Sequence, residues 1–275
     1  MSEEASAEVA SFEAKWSAAY PEFGLALAFV RDDRSAASAF ACLVFEIEHA
    51  AFGIREAQPA AVKLQWWAEE FARAARGEAR HPLTQALADR LATAAVPTRV
   101  WHDVIVGALA QRDPEPPADT TALLDSYDTL YAPLATVEST LFGTDARAIA
   151  ATLAATRALR ETAALAQVLG DGKLPLPLDL LARHRLARGD LADASAAREA
   201  ALREWFATVS ERLSASATRE RPIGALRGAM AGANAIRASR AAASSAPLDA
   251  LRDAMMRLSL PMTWAAWRAA RRSRR

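Results

Sequence analysis

Apolar residues recur every three or four positions along most of the 275-residue chain. That spacing lines one face of an α-helix of 3.6 residues per turn. In "KLQWWAEEF" (63–71), Leu64, Trp67 and Phe71 share a face that continues to Ala75. The adjacent Trp66 points roughly 100° away, towards the side of Val62, Glu69 and Arg73. The pattern therefore predicts a core position for Trp67 and a contact with a neighbouring helix on the outer side for Trp66. Strand-like alternation of β-branched and aromatic residues is nearly absent. Segments bounded by Pro, Gly, Asp or Ser read as helices over 35–57, 59–77, 82–95, 98–112, 119–142, 145–169, 189–214, 222–243 and 247–272, with a short one at 177–184 after "GDGKLPLPLDLL". Asp119 and Pro247 sit where an N-cap and a first helical turn belong. "QRDPEPPADT" (111–120) is the one clear linker, but both its flanks are similar helical text and no fixed-period repeat appears. The expectation is a single all-α, multi-helix domain over 23–272, preceded by a flexible segment over 1–22.

Composition narrows this picture. Alanine is about a quarter of the chain, which lets helices approach at the short end of the roughly 8–10 Å range. Such a bundle can be solid or can ring a central cavity, and the pattern leaves both open. The acidic start "MSEEASAEVA" lacks the basic and apolar regions of a secretory signal. No uninterrupted apolar stretch reaches the roughly 20 residues of a membrane span. The single cysteine, Cys42, excludes an internal disulfide framework and fits a reducing compartment. The expected setting is the cytoplasm. Net charge is zero, from 33 basic and 33 acidic residues, so no nucleic-acid partner is expected. The charge is uneven, however: the closing "RAARRSRR" holds five arginines and no acid.

Candidate chemistry is sparse. His49, His81, His102 and His184 are scattered, with no His or Cys partner at metal-ligand spacing. Asp249 and Asp253 follow Pro247 in the first turns of a helix, where carboxylates favour the positive end of the dipole. Asp125 and Asp128 read as a solvated helix face. Neither a P-loop nor a Gly-x-Ser-x-Gly elbow occurs.

Five stretches in order carry a family resemblance: "RDDRSAASAFACLVFEIEHA" (31–50), "REAQPAAVKLQWWAEEFARAARGEARHPLTQAL" (55–87), "YAPLATVESTLFG" (131–143), "GKLPLPLDLLARHRLARGDL" (172–191) and the closing "TWAAWRAARRSRR". Together they resemble the squalene/phytoene synthase family of head-to-head prenyl transferases, over most of 23–272. Within it they resemble the divergent branch that includes the mitochondrial complex I assembly factor. The resemblance implies an isoprenoid-synthase-like bundle around a central cavity, lined by the helices near 35–57, 59–77, 119–142, 145–169 and 189–214. In such enzymes two aspartate-rich helices hold magnesium, which neutralises the diphosphate leaving group.

Aligning Phe45 and Glu48 with the family's Phe and Glu puts Ala50, Ala51 and Ile54 where the first aspartates are expected. Ala164 and Val168 fall at the second set, with Gln167 at its acid. Neither "HAAFGI" nor "TAALAQVLG" contains an acid, so a one-residue slip restores nothing. The residues that this comparison places around the cavity are Glu48, His49, Arg55, Arg157, Arg160, Ala164, Val168 and Lys173. In the resembling enzymes, basic residues placed like Arg55, Lys63, Arg157, Arg160 and Lys173 contact diphosphate oxygens. The resulting expectation is a protein with no catalytic residues, no metal ligands and no cofactor, which binds an isoprenoid or similar long apolar molecule or serves in assembly. The alternative is an active prenyltransferase with an unconventional site, for which magnesium would be expected. Trp264 and Trp267, one turn apart and followed by arginines, predict weak peripheral contact of the tail with the inner membrane face. No protein partner is legible.

Overall fold

The computed structural model describes residues 3–31, 33–218 and 223–272; the side chains of 3–6, 217 and 218 are outside the description. Among the described residues there are fifteen α-helices and no strand. The first six are α1 (Glu3–Ala19), α2 (Pro21–Leu27), α3 (Arg34–Glu48), α4 (Ala57–Ala74), α5 (Pro82–Gln85) and α6 (Ala88–Ala94). Next come α7 (Thr98–Ala110), α8 (Thr120–Phe142), α9 (Ala146–Ala163), α10 (Leu165–Gly170) and α11 (Leu178–Arg183). The chain ends with α12 (Ala196–Thr218), α13 (Ala225–Ala242), α14 (Pro247–Met255) and α15 (Leu260–Arg272).

The opening of the chain differs from the expected flexible segment over 1–22. It forms α1, with Val9 and Trp16 buried, and then α2, with Glu22 and Phe23 buried. Trp16 stacks on Tyr20 with ring centroids 5.7 Å apart and tilts against Phe45 at 5.3 Å. Aromatic burial of this kind repays the ordering of a terminal helix. The linker over 111–120 is likewise tied into the domain: Leu178 and Asp179 donate backbone N–H groups to Pro117 and Ala118, both at 2.9 Å.

Local chemistry explains several helix starts. Asp119 and Asp145 each accept a backbone N–H three residues on, from Ala122 and Ala148, and so cap α8 and α9. Pro247 starts α14, where its missing N–H costs nothing. Gly107 fixes the α7–α8 crossing, because a Cβ there would lie 2.0 Å from the carbonyl oxygen of Thr129. The stretch Arg34–Gly53 is long and apolar enough to cross a membrane, yet 72% of it is buried inside the fold, the situation of a core helix.

Trp67, Trp205, Tyr131 and Phe206 are each fully buried, and Leu64 and Phe71 join Trp67 on the inner face of α4 as their spacing predicts. Trp66 behaves differently from the expectation. It is 39% exposed and sits edge-on to Trp67 and to His81 at the start of α5, rather than against a helix on the outer side. His81 lies between Trp67 and Phe12, so Trp66 caps an aromatic cluster that joins α1, α4 and α5.

Candidate functional site

Two interruptions of helical text create the site. After Glu48 the chain widens into a π-turn over His49–Gly53, closed by a hydrogen bond from Ile54 N–H to His49 C=O at 3.0 Å. Such single π-turns re-aim side chains. Here Ala50 and Ala51 turn into the core, while His49, Phe52 and Gly53 face a cavity. Ala50 and Ala51, aligned with the family's first aspartates, therefore belong to the core and not to the cavity wall. Gly53 is required by this turn, since a Cβ there would lie 2.4 Å from the His49 ring. The second break separates α9 from α10 at Ala164. The freed carbonyl of Ala163 accepts from Arg252 Nε at 2.9 Å.

Between these breaks lies a cavity of about 520 Å³. Its walls are the α1–α2 junction (Ala19, Tyr20, Glu22), Glu48 and the π-turn, α9 and α10 from Arg157 to Val168, Asp171, Lys173 and the end of α14. Of the helices expected to line it, only those near 35–57 and 145–169 do so. The others, α4, α8 and α12, pack behind the wall. Tyr131 and Tyr127 of α8 reach forward to donate to Glu48 at 2.7 Å and Glu161 at 2.6 Å. Trp205 of α12 donates to Thr162 at 2.9 Å.

Seven of the eight residues placed by sequence converge on this space: Glu48, His49, Arg157, Arg160, Ala164, Val168 and Lys173. Arg55 is exposed and reaches the rim only by pairing with Asp171 at 2.6 Å. Lys63 points away and pairs with Glu46 at 2.7 Å. Asp249 and Asp253 are exposed and pair with Arg252 and Arg257. The floor is an ionic network. Arg160 bridges Glu48 at 3.2 Å and Glu22 at 3.3 Å, and its guanidinium lies over the Tyr20 ring at 3.7 Å. Glu22 also accepts from Arg237 of α13 at 2.6 Å. Arg157 pairs with Glu161 at 3.0 Å and covers the Phe52 ring at 3.8 Å.

Burial sets the charge states. It opposes the charge on Arg160, but Tyr20, Glu48 and Glu22 outweigh it and hold its pKa above the usual range. Burial would raise Glu22, yet Arg160 and Arg237 hold it below the usual carboxylate value. Burial and then Glu48 push Tyr131 well up. Burial lowers His49, helped by Lys63, and also lowers Lys173. A pH dependence of stability follows. Glu22 has a depressed folded pKa, so its contribution is present above its unfolded value of 4.5 and disappears as pH falls through the folded value. His49 and His81, lowered from 6.5, act in the same direction: the unfolded chain takes up their protons first as pH falls below 6.5. The melting temperature should hold above pH 7 and fall progressively from about pH 6.5 into the acid range, as a pH series of thermal melts would record.

The fold and the cavity fit one family. The squalene/phytoene synthase family model matches residues 23–268. The chain belongs to the squalene/phytoene synthase family. No curated protein matches the sequence. Among solved structures, squalene synthase HpnC from Alicyclobacillus acidocaldarius superposes with a TM-score of 0.67 at 16% identity, covering 92% of this chain and 96% of that one. A dehydrosqualene synthase crystallised with a ligand gives 0.66 at 12% identity, covering 91% and 96%. At such identities the likeness is one of fold.

Glu22, Arg237, Tyr127, Tyr131 and Glu161 escaped sequence reasoning. Glu22 and Arg237 are separated by 215 positions, and no local pattern pairs them. Glu161 carried a signal in its spacing four residues after Arg157, the distance of one helical turn.

Proposed function

We propose that this squalene/phytoene synthase-family protein binds an isoprenoid or similar long apolar molecule in the cavity and does not carry out magnesium-dependent prenyl coupling. One observation carries the reading: the charges around the cavity are already matched. Its lining holds four carboxylates (Glu22, Glu48, Glu161, Asp171) and four cations (Arg157, Arg160, Lys173, Arg252). Arg157 and Arg160 are paired with Glu161, Glu48 and Glu22, and Lys173 donates to the Gln111 carbonyl at 2.8 Å. A diphosphate that met Arg157 and Arg160 would have to pull them from their carboxylates. A ligand with a neutral polar end would not.

The donor set fits magnesium poorly. That ion takes near-octahedral oxygen ligands, commonly with free carboxylates. The oxygens of Glu22 and Glu48 are taken by Arg160, Arg237 and Tyr131. Among the described residues no group of three or more His, Cys, Asp or Glu is placed to share an ion. The remaining wall (Phe52, Ala163, Ala164, Val168, Met255, Met256) suits a hydrocarbon chain. Each methylene buried there contributes about 0.8 kcal/mol, so affinity does not need an ionic anchor. The volume lies within the roughly 300–1,000 Å³ range of small-molecule sites. A role in assembly, as the resemblance to the complex I assembly factor implies, would use the same liganded fold without turnover.

Farnesol should raise the melting temperature of the purified protein, and native mass spectrometry of gently purified material should show a lipid adduct. Val168→Trp, which fills the cavity, should remove both effects. Absence of adduct and of any farnesol shift in the unmodified protein would refute the reading.

A further inference from the structure

The mouth of the cavity opens beside an unusual surface. Nine large hydrophobic side chains are exposed among the described residues, and four of them lie within nine positions: Met256, Leu258, Leu260 and Trp264. The other five are spread over three helices, α4, α7 and α11. Leu260 is 86% exposed, which no packing need of a monomer explains. The cause is the register of α15. Met262, Ala265, Ala266 and Ala270 face the core, so Leu260, Trp264 and Arg271 are turned outward along one stripe. Trp264 stacks on Trp267 at 4.6 Å, and Arg271 lies over the Trp267 ring at 4.9 Å. The stripe thus runs from aliphatic, through aromatic, to cationic.

We propose that the Met256–Trp264 turn and the outer stripe of α15 dock on an anionic lipid bilayer, so that the cavity mouth faces the membrane. Charge complementarity selects this occupant. From Ala254 to Arg272 the chain carries four arginines and no acid; Arg257 pairs with Asp253 just before the turn, so the patch is apolar at its apex and its positive rim is carried by the arginines of α15. That order matches a bilayer, where Leu and Met enter the acyl boundary, tryptophan sits at headgroup depth and arginine meets lipid phosphate. A stable protein partner would need roughly 20–30 residues a side, more than this turn offers. Continuity with the cavity supplies the second argument: Met255 and Met256 line the cavity and Met256 is also on the exposed apex. An apolar ligand leaving the bilayer at this point would meet side chains of its own kind along the whole path. The structure also relocates the contact expected of the tail. Its centre is the turn before α15, and the last arginines, 274 and 275, lie outside the described residues.

The test uses the full chain and vesicles of phosphatidylcholine, alone or with phosphatidylglycerol. Co-sedimentation should be substantial with the anionic vesicles, several-fold weaker with neutral ones, and reduced by salt. Leu260→Ser/Trp264→Ser, both at exposed positions, should lower the bound fraction about tenfold while the circular dichroism spectrum and melting temperature stay unchanged. Arg268→Gln/Arg271→Gln should erase the preference for anionic vesicles. Equal sedimentation of the Leu260→Ser/Trp264→Ser variant, or no binding to anionic vesicles, would overturn the proposal. So would a dimer in sedimentation velocity that this variant dissociates, since the patch would then join two copies. Farnesol shifts measured without vesicles report on the cavity alone, so the surface and the cavity can fail independently.

Discussion

Replacing Glu22 with alanine should cost about 3–5 kcal/mol of unfolding free energy, the range for breaking a buried ion pair from one side. Glu22 is 2% exposed and holds two arginines that are themselves buried, Arg237 at 2.6 Å and Arg160 at 3.3 Å. The loss falls unequally on them. Arg160 keeps Glu48, whereas Arg237 keeps only neutral partners: the carbonyls of Ala254, Met255 and Arg257 and the side chain of Asn234. A guanidinium with no exposed surface and no counter-charge is the expensive product. Because Arg237 joins α2, α13 and the end of α14, the loss should also loosen the cavity rim. Glu22→Gln keeps the shape and one acceptor and should cost less. Asp249→Ala removes a carboxylate whose side chain is 81% exposed and should barely register. Urea unfolding of the three variants decides the matter, and a Glu22→Ala midpoint equal to that of Asp249→Ala would refute the role given to the network.

That network marks the boundary of what the sequence makes legible. Helix content and the inner face of α4 follow from spacing, because period 3.6 with few β-branched runs has one structural solution. The caps at Asp119 and Asp145 are equally local. The broken helices are not. Ala163 and Ala164 carry no Gly or Pro signal, and the break between them is stabilised by Arg252, 89 positions away. The π-turn at His49–Gly53 is written only in Gly53, whose missing Cβ admits the His49 ring. That turn is what carries Ala50 and Ala51 into the core. α1 was illegible for another reason: its apolar residues are few, and their partners Tyr20 and Phe45 belong to other segments. Seven of the eight positions named from the sequence share one cavity, but the pairing of their charges is not legible there. Only the pairing distances show that its cations are already engaged.

The same pairing bears on turnover. Farnesyl or geranylgeranyl diphosphate incubated with the protein and magnesium should yield no squalene-type or phytoene-type product. Ionising an allylic diphosphate places several negative charges on the leaving group, and preorganised electrostatic stabilisation is usually the largest catalytic contribution. Removing even one such donor costs about 100-fold or more. Ala164 and Val168, which line the cavity, are apolar at two of the positions where the family resemblance leads one to expect acids. The arginines could replace a metal only by leaving their carboxylates. Arg160 would have to abandon both Glu48 and Glu22; Glu22 keeps Arg237, but Glu48 would be left buried with only the Tyr131 hydroxyl. That cost is charged against the transition state, so residual turnover should be undetectable. Magnesium should also fail to tighten diphosphate binding, which calorimetric titration with and without the ion measures directly. A magnesium-dependent gain in affinity, or an apolar product abolished by chelation, would sink the non-catalytic reading and turn attention to Glu48, which is 3% exposed, as the first candidate ligand.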